Sequence, residues 1–246
     1  MRILTLLIVF LRFELTAAVI IPVPDAGLGN AASGFPFSAG NNSTFRFQQI
    51  YGTSAFSLIN PGGGWVTALA FRFDCQPGQP CIGGTVPGFQ IDLSTTSRAV
   101  DGLSASFVDN VGADNIVVLS PSVSFANNTP GAPPDFPVMI TLNHPFFYNP
   151  AGGNLLMDVR LNQSGGIFGF FDALNATGDP VSISYAFDVT AASGQTSTLG
   201  LATAFVFTPV PEPATWALLA FGVPALFLAV HRQRNHRSES KKGERH

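Results

Sequence analysis

Chemistry in this chain of 246 residues has to come from a small set of side chains. Between residues 22 and 208 there is one histidine, His144, one pair of cysteines, Cys75 and Cys81, and eleven aspartates, with no lysine and no glutamate. A Ser-His-Asp or Cys-His arrangement needs an imidazole beside its nucleophile. His144 stands in Asn143-His144-Pro145 with no nucleophile-elbow sequence in the chain to serve it. Paired carboxylates for glycoside hydrolysis could meet from distant strands, yet scattered strand aspartates usually decorate a solvated face. No residue is assigned a catalytic role, no cofactor is expected, and the reading is of a protein that is not an enzyme.

Binding chemistry has more candidates, each with a plain structural rival. Cys75 and Cys81 flank Pro77, Gly78 and Pro80, and in an exported chain such a pair reads as a disulfide closing a short loop. Chain entropy for that loop gives about 2.4 kcal/mol before strain. Zinc is the rival, but it wants about four ligands and His144 is the only nearby imidazole donor. Asp109-Asn110-Val111-Gly112-Ala113-Asp114-Asn115 gathers oxygen donors around a glycine, so Asp109 and Asp114 are candidate calcium ligands. The spacing is not that of an EF-hand, and Asp and Asn serve ordinary turns equally well. Sugar platforms favour Trp and Tyr, here Trp65, Tyr51, Tyr148 and Tyr185. Tyr148, in a Pro/Gly-rich stretch after Phe146-Phe147, is the candidate for an exposed ligand-binding ring.

The elements that must carry these residues are strands. Phe89, Ile91 and Leu93 alternate with polar neighbours, as do Val181, Ile183, Tyr185, Phe187 and Val189. Similar runs are Trp65 to Phe73, Asn115 to Phe125, Phe136 to Leu142, Leu155 to Leu161 and Leu201 to Phe207, with Phe45 to Tyr51 as a less regular first strand. Gly-, Pro- and Asn-rich segments such as Asn60-Pro61-Gly62-Gly63-Gly64 separate them. About eight short strands imply an all-β, antiparallel β-sandwich over residues 22–208, either jelly-roll-like or immunoglobulin-like. Most of the phenylalanines fall on the apolar side of these runs and belong to its core. This region carries four arginines against eleven aspartates, a net charge of −7 hidden in the whole-chain value of −3. Nucleic acid is therefore excluded as a partner, because phosphate contacts need clustered Lys and Arg.

Both ends of the chain depart from this pattern. Met1-Arg2, the apolar Ile3 to Leu11 and the small Thr16-Ala17-Ala18 have the order of a signal peptide, assigned to residues 1–21. At the other end Val210-Pro211-Glu212-Pro213 precedes an apolar run from Ala214 to Val230. A basic tail over residues 231–246 follows, with Arg232, Arg234, Arg237, Lys241, Lys242 and Arg245. At ~1.5 Å per residue the apolar run makes roughly 25 Å of helix, just long enough for one transmembrane span. The basic block favours the cytoplasmic side, which leaves the large acidic region outside.

This order of short rigid motif, hydrophobic segment and basic stop resembles the PEP-CTERM sorting signal of Gram-negative bacteria, and Val-Pro-Glu-Pro-Ala-Thr-Trp-Ala-Leu-Leu runs unbroken from Val210 to Leu219. The resemblance implies an exported precursor anchored in the inner membrane and handed to an exosortase, a membrane transpeptidase thought to cut near the motif. It also implies a destination at the envelope, the cell surface or the extracellular polysaccharide of a biofilm. Three inner segments, Phe45 to Tyr51, Ile91 to Thr96 and Phe146 to Val159, are similar to a recurring β-rich ectodomain of PEP-CTERM proteins, which implies no catalytic residue. Two function classes follow: a structural or adhesive exported protein, and a secreted module that binds or hydrolyses polysaccharide.

Overall fold

Alternating side chains become strands that bury one face, and the Gly/Pro/Asn segments become the connections between them. The computed structural model describes residues 18–24, 27, 29–37, 44–74, 83–125, 136–162 and 169–210. Among these the strands are, in chain order, β1 (Val19–Val23), β2 (Ala31–Ser33), β3 (Phe45–Tyr51), β4 (Gly64–Phe71), β5 (Gly84–Pro87), β6 (Phe89–Thr96), β7 (Ile116–Leu119), β8 (Ser122–Phe125), β9 (Val138–Tyr148), β10 (Asn154–Leu161), β11 (Phe171–Asn175), β12 (Val181–Ala186), β13 (Gln195–Ser197), β14 (Leu199–Leu201) and β15 (Thr203–Pro209). The helical segments among the described residues are four short 3-10 turns. The expectation of an all-β antiparallel protein is met.

Two large sheets pack face to face, one ordered β1-β15-β4-β9 and the other β13-β12-β3-β10-β6-β7. Eight strands nest as one long folded hairpin, every pair antiparallel. β1 pairs with β15, β3 with β10, β4 with β9, and β6 with β7. The hairpin then closes on itself, with β15 beside β4 and β10 beside β6. β12 and β13 extend the second sheet beyond β3. Two small sheets, β14-β11-β2 and β5-β8, complete the set.

The core between the large sheets is rich in aromatic rings set among Val, Ile and Leu. The Tyr51 ring of β3 meets Phe205 of β15 edge-on at 4.7 Å, and its hydroxyl shares a 2.9 Å hydrogen bond with Thr203. Burial pushes the Tyr51 phenol well above its usual range. Phe37 sits among Phe71, Phe89 and Phe171 at centroid distances of 4.9, 5.3 and 4.9 Å. Each such ring contributes roughly 1.5–3 kcal/mol on burial. Phenylalanine at alternating positions is mostly core, as the pattern implies, but β12 ends at Ala186 and leaves Phe187 71% exposed.

A buried ion pair fastens one end of the sandwich to the small β14-β11-β2 sheet. Arg72, just past β4, donates from Nε to Asp172 Oδ2 of β11 at 2.7 Å and from Nη2 to the same oxygen. Asp172 Oδ1 accepts from Gly29 N at 2.9 Å, and the guanidinium lies 4.9 Å from the Phe136 ring centroid. A Cβ at residue 29 would meet Ala173 O at 2.0 Å, so this close approach needs glycine.

The boundary expected at residues 21/22 passes through β1. Ile21 and Val23 are fully buried there, and Ile20 to Val23 pair in register with Val206 to Thr203. Among the described residues no helix is long and apolar enough to cross a membrane. The expected span Ala214 to Val230, the basic tail, Pro211, Glu212 and Pro213, residues 1–17 of the expected signal peptide, and the Cys75–Cys81 pair lie outside the described residues.

Candidate functional site

The outer face of the six-stranded sheet gathers the charged strand residues. Alternation turns Arg46 and Gln48 of β3, Asp158 and Arg160 of β10, and Gln90 and Asp92 of β6 to the same side, with Asp158 in register with both Gln48 and Asp92. Arg46 grips Asp158 through Nε at 3.2 Å and Nη2 at 2.6 Å. Arg160 reaches Asp92 at 3.2 Å and Asp158 at 3.3 Å. The turn Phe107–Asn110 lies over this ladder. Gln48 Nε2 donates to Phe107 O at 3.1 Å and Asp158 Oδ2 at 2.9 Å, while Asn110 Nδ2 donates to Gln48 Oε1 at 2.9 Å. The Phe107 ring also stacks on the Arg46 guanidinium at 4.7 Å. These groups satisfy one another, so the cluster locks a loop onto the sheet.

The calcium candidates sit at the edge of that lock and are used as turn residues. Asp109 accepts from Ser104 Oγ at 3.3 Å, and Asp114 Oδ1 accepts from Thr95 N at 2.7 Å. Gly112 presses so close to β6 that a Cβ would meet Thr95 O at 1.8 Å. Among the described residues no group of three His, Cys, Asp or Glu side chains could hold a metal ion. The turn reading of Asp109 and Asp114 is the one the geometry favours. His144 is exposed on β9, where the β4–β9 register shifts.

Tyr148 requires a correction. It is not an exposed loop ring: β9 runs on through it, and the phenol is fully buried, donating to Gly153 O at 2.9 Å. Its ring packs edge-on against Phe56 at 5.0 Å. Burial raises its pKa well above the ordinary value. The physical reason is that β9 keeps its alternation through Asn143-His144-Pro145, so Phe146 and Tyr148 face inward with Val138, Ile140 and Leu142 while Phe147 faces outward. Of the four Trp and Tyr candidates, Tyr51 is also core, Tyr185 is half-buried, and Trp65 is exposed.

A groove of about 310 Å³ opens beside the β12–β13 hairpin, lined by Asp101, Leu103, Ser182, Ile183, Thr196, Ser197 and Thr198. The turn Val100–Gly102 forms one wall, with Ser182 Oγ donating to Val100 O. Asp101 Oδ2 accepts from Gly178 N at 2.8 Å and Thr198 Oγ1 donates to Asn175 Oδ1 at 2.7 Å. Behind Asp101, Asp179 Oδ1 accepts from Val181 N at 2.8 Å, while its Oδ2 is buried with no hydrogen-bond partner among the described residues. Burial, and to a smaller extent the Asp101 charge, raises the Asp179 pKa. Hydroxyls and one carboxylate can hydrogen-bond a polyol, and the volume reaches the lower end of small-ligand sites. No Trp or Tyr lines the groove to give a sugar a stacking face. Sequence reasoning passed over this place because Ser and Thr near a turn carry no spacing signature.

Val210, the first residue of the expected processing motif, is the last described residue and follows directly on β15. No family model, curated protein or solved structure matches this chain.

Proposed function

We propose that the chain is an exported structural or adhesive protein, delivered by an exosortase to the envelope or extracellular matrix of a Gram-negative bacterium. The observation that carries this reading is the tail: Val210-Pro211-Glu212-Pro213, the apolar run Ala214 to Val230 and the arginine-rich end. Its position agrees with a processing role. β15 ends at Pro209, so the motif begins one residue after its strand pairing stops. Prolines at 211 and 213 keep a membrane helix from propagating upstream. The inner membrane, through Ala214 to Val230, is the precursor's first partner, exosortase its second, and extracellular polysaccharide its final surroundings.

The ectodomain in this proposal is a jelly roll. The nested pairing of β1 with β15, β3 with β10, β4 with β9 and β6 with β7 supports that topology over the immunoglobulin-like alternative. Self-satisfied charges on one face and a packed aromatic core suit a durable scaffold. The polysaccharide-binding alternative rests on the hydroxyl-lined groove beside Asp101. Its hydrolytic version would need two free carboxylates, and there Asp101 and Asp179 both accept backbone amides.

The test is genetic. Replacing Glu212 and Pro213 together by alanine, or removing the host's exosortase, should leave the precursor untrimmed and in the inner membrane. Trimming that continues unchanged in both strains would sink the sorting proposal. Polysaccharide turnover by residues 19–209 would replace the structural reading with the hydrolytic one.

A further inference from the structure

The two large sheets differ in what they show to the outside. The six-stranded sheet carries Arg46, Asp92, Asp158 and Arg160. The four strands of the other sheet, β1, β15, β4 and β9, contain no Asp, Glu, Lys or Arg at all, in a region whose net charge is −7. Its outward positions mix large apolar side chains open to solvent with the uncharged polar Thr67, Thr141, Asn143 and His144. Ile20 is 55% exposed, Trp65 44%, Met139 54% and Phe147 39%, and Trp65 and Phe147 meet edge-on at 5.3 Å. Val206 lies in register with Ile20 on the same side. A monomeric soluble domain rarely presents so many large apolar groups on one uncharged face.

We propose that this face lies against a lipid bilayer while the chain is anchored. The inference rests on reading Ala214 to Val230 as a membrane span, and chain connectivity points to the occupant. β15, a central strand of this sheet, ends at Pro209, and four residues later the apolar run begins. Four extended residues reach roughly 14 Å. Thr208 is in register with Trp65, which is in register with Phe147, so the exposed aromatic pair stands at the end of the sheet from which the anchor departs. Tryptophan is enriched at membrane–water interfaces, where its ring sits at headgroup level. An uncharged face also escapes the repulsion that anionic headgroups would exert on the acidic remainder.

The full chain, reconstituted in phosphatidylethanolamine/phosphatidylglycerol vesicles, tests this with its own tryptophans, Trp65 and Trp216. Trp216→Phe leaves Trp65 as the sole reporter, and Trp65→Phe leaves Trp216 to report on the anchor. The expected result is a blue-shifted Trp65, quenched more strongly by a spin label near the lipid headgroup than by one deep in the acyl chains. Adding Ile20→Ser and Met139→Ser should weaken that quenching without unfolding the protein, because both side chains are exposed. A quenched Trp216 beside an unquenched, solvent-like Trp65 overturns the proposal and leaves the anchor standing. A blue-shifted Trp65 that no lipid label quenches assigns the face to a second protein copy and also overturns it. If neither tryptophan is quenched, the anchor reading falls first and this inference falls with it.

Discussion

Asp172→Asn should be the most damaging isosteric change in the β-sandwich. The carboxylate is 5% exposed and its Arg72 partner 1% exposed. In the wild type Asp172 takes two guanidinium hydrogen bonds on Oδ2 and the Gly29 amide on Oδ1. The substitution keeps the shape and can keep the Gly29 bond, but it takes the Asp172 charge from a buried cation whose other neighbours include the Gly27 carbonyl, the Phe136 ring face and the Asp74 charge. Breaking a buried pair from one side costs about 3–5 kcal/mol, whereas replacing both partners by apolar groups is often close to neutral. At about 2–4 °C per kcal/mol for a domain of this size, Tm should fall by roughly 6–20 °C. Urea unfolding of residues 19–209, followed by tryptophan emission, gives the free energy directly. Arg72→Met with Asp172→Leu should recover most of the loss. Arg160→Gln, at a half-exposed bridge, should cost at most about 1 kcal/mol. A loss below about 1 kcal/mol for Asp172→Asn, or a double variant no better than the single one, would mean that the buried pair contributes little.

Three further outcomes are expected. Burial raises the Asp179 pKa, so the folded protein holds this proton to higher pH than the unfolded chain. That destabilises the fold as pH rises above the unfolded value of about 4 and has no effect below it. Asp179→Asn should therefore match the wild type at low pH and gain on it towards pH 7, and a pH-independent difference in urea unfolding would contradict this. N-terminal sequencing of the exported protein should begin at Val19, because a cut after residue 21 would strip the buried Ile21 from β1; a start at Pro22 or later would count against it. Thiol titration of the unreduced, exported protein should find no free sulfhydryl, Cys75 and Cys81 being joined, and two titratable thiols would refute the pairing.

How much of this was legible depends on what supplied each strand's order. Phe45–Tyr51 and Leu155–Leu161 were visible almost to the residue because their apolar faces are long and their flanks polar. Gln48 and Gln49 are buried on opposite faces of β3, which no alternation rule foresees. Gln48 is covered by the Phe107–Asn110 turn, and Gln49 exchanges two hydrogen bonds with the Leu201 backbone, standing in for a strand partner. That contact also explains why the run from Leu201 to Phe207 divides into β14 and β15. The run from Asn115 to Phe125 breaks at Ser120-Pro121, and its halves join different sheets. β2, β5 and β13 are too short to leave a period. Tyr148 was misplaced because the polar Asn143-His144-Pro145 reads as a strand end at Leu142, whereas β9 continues through it in the same phase. The groove at Asp101 needs three distant segments, so it was invisible before folding was known.

The central claim is that the chain is an exosortase substrate whose tail is a transient anchor. Intact mass and C-terminal peptide mapping of the protein recovered from a wild-type, exosortase-positive host test it most directly. The expected mature form lacks Arg232 to His246, with its new C-terminus near Pro211-Glu212-Pro213. Recovery of the full-length species, with the basic tail still attached, would contradict the account and leave a permanently tethered membrane protein.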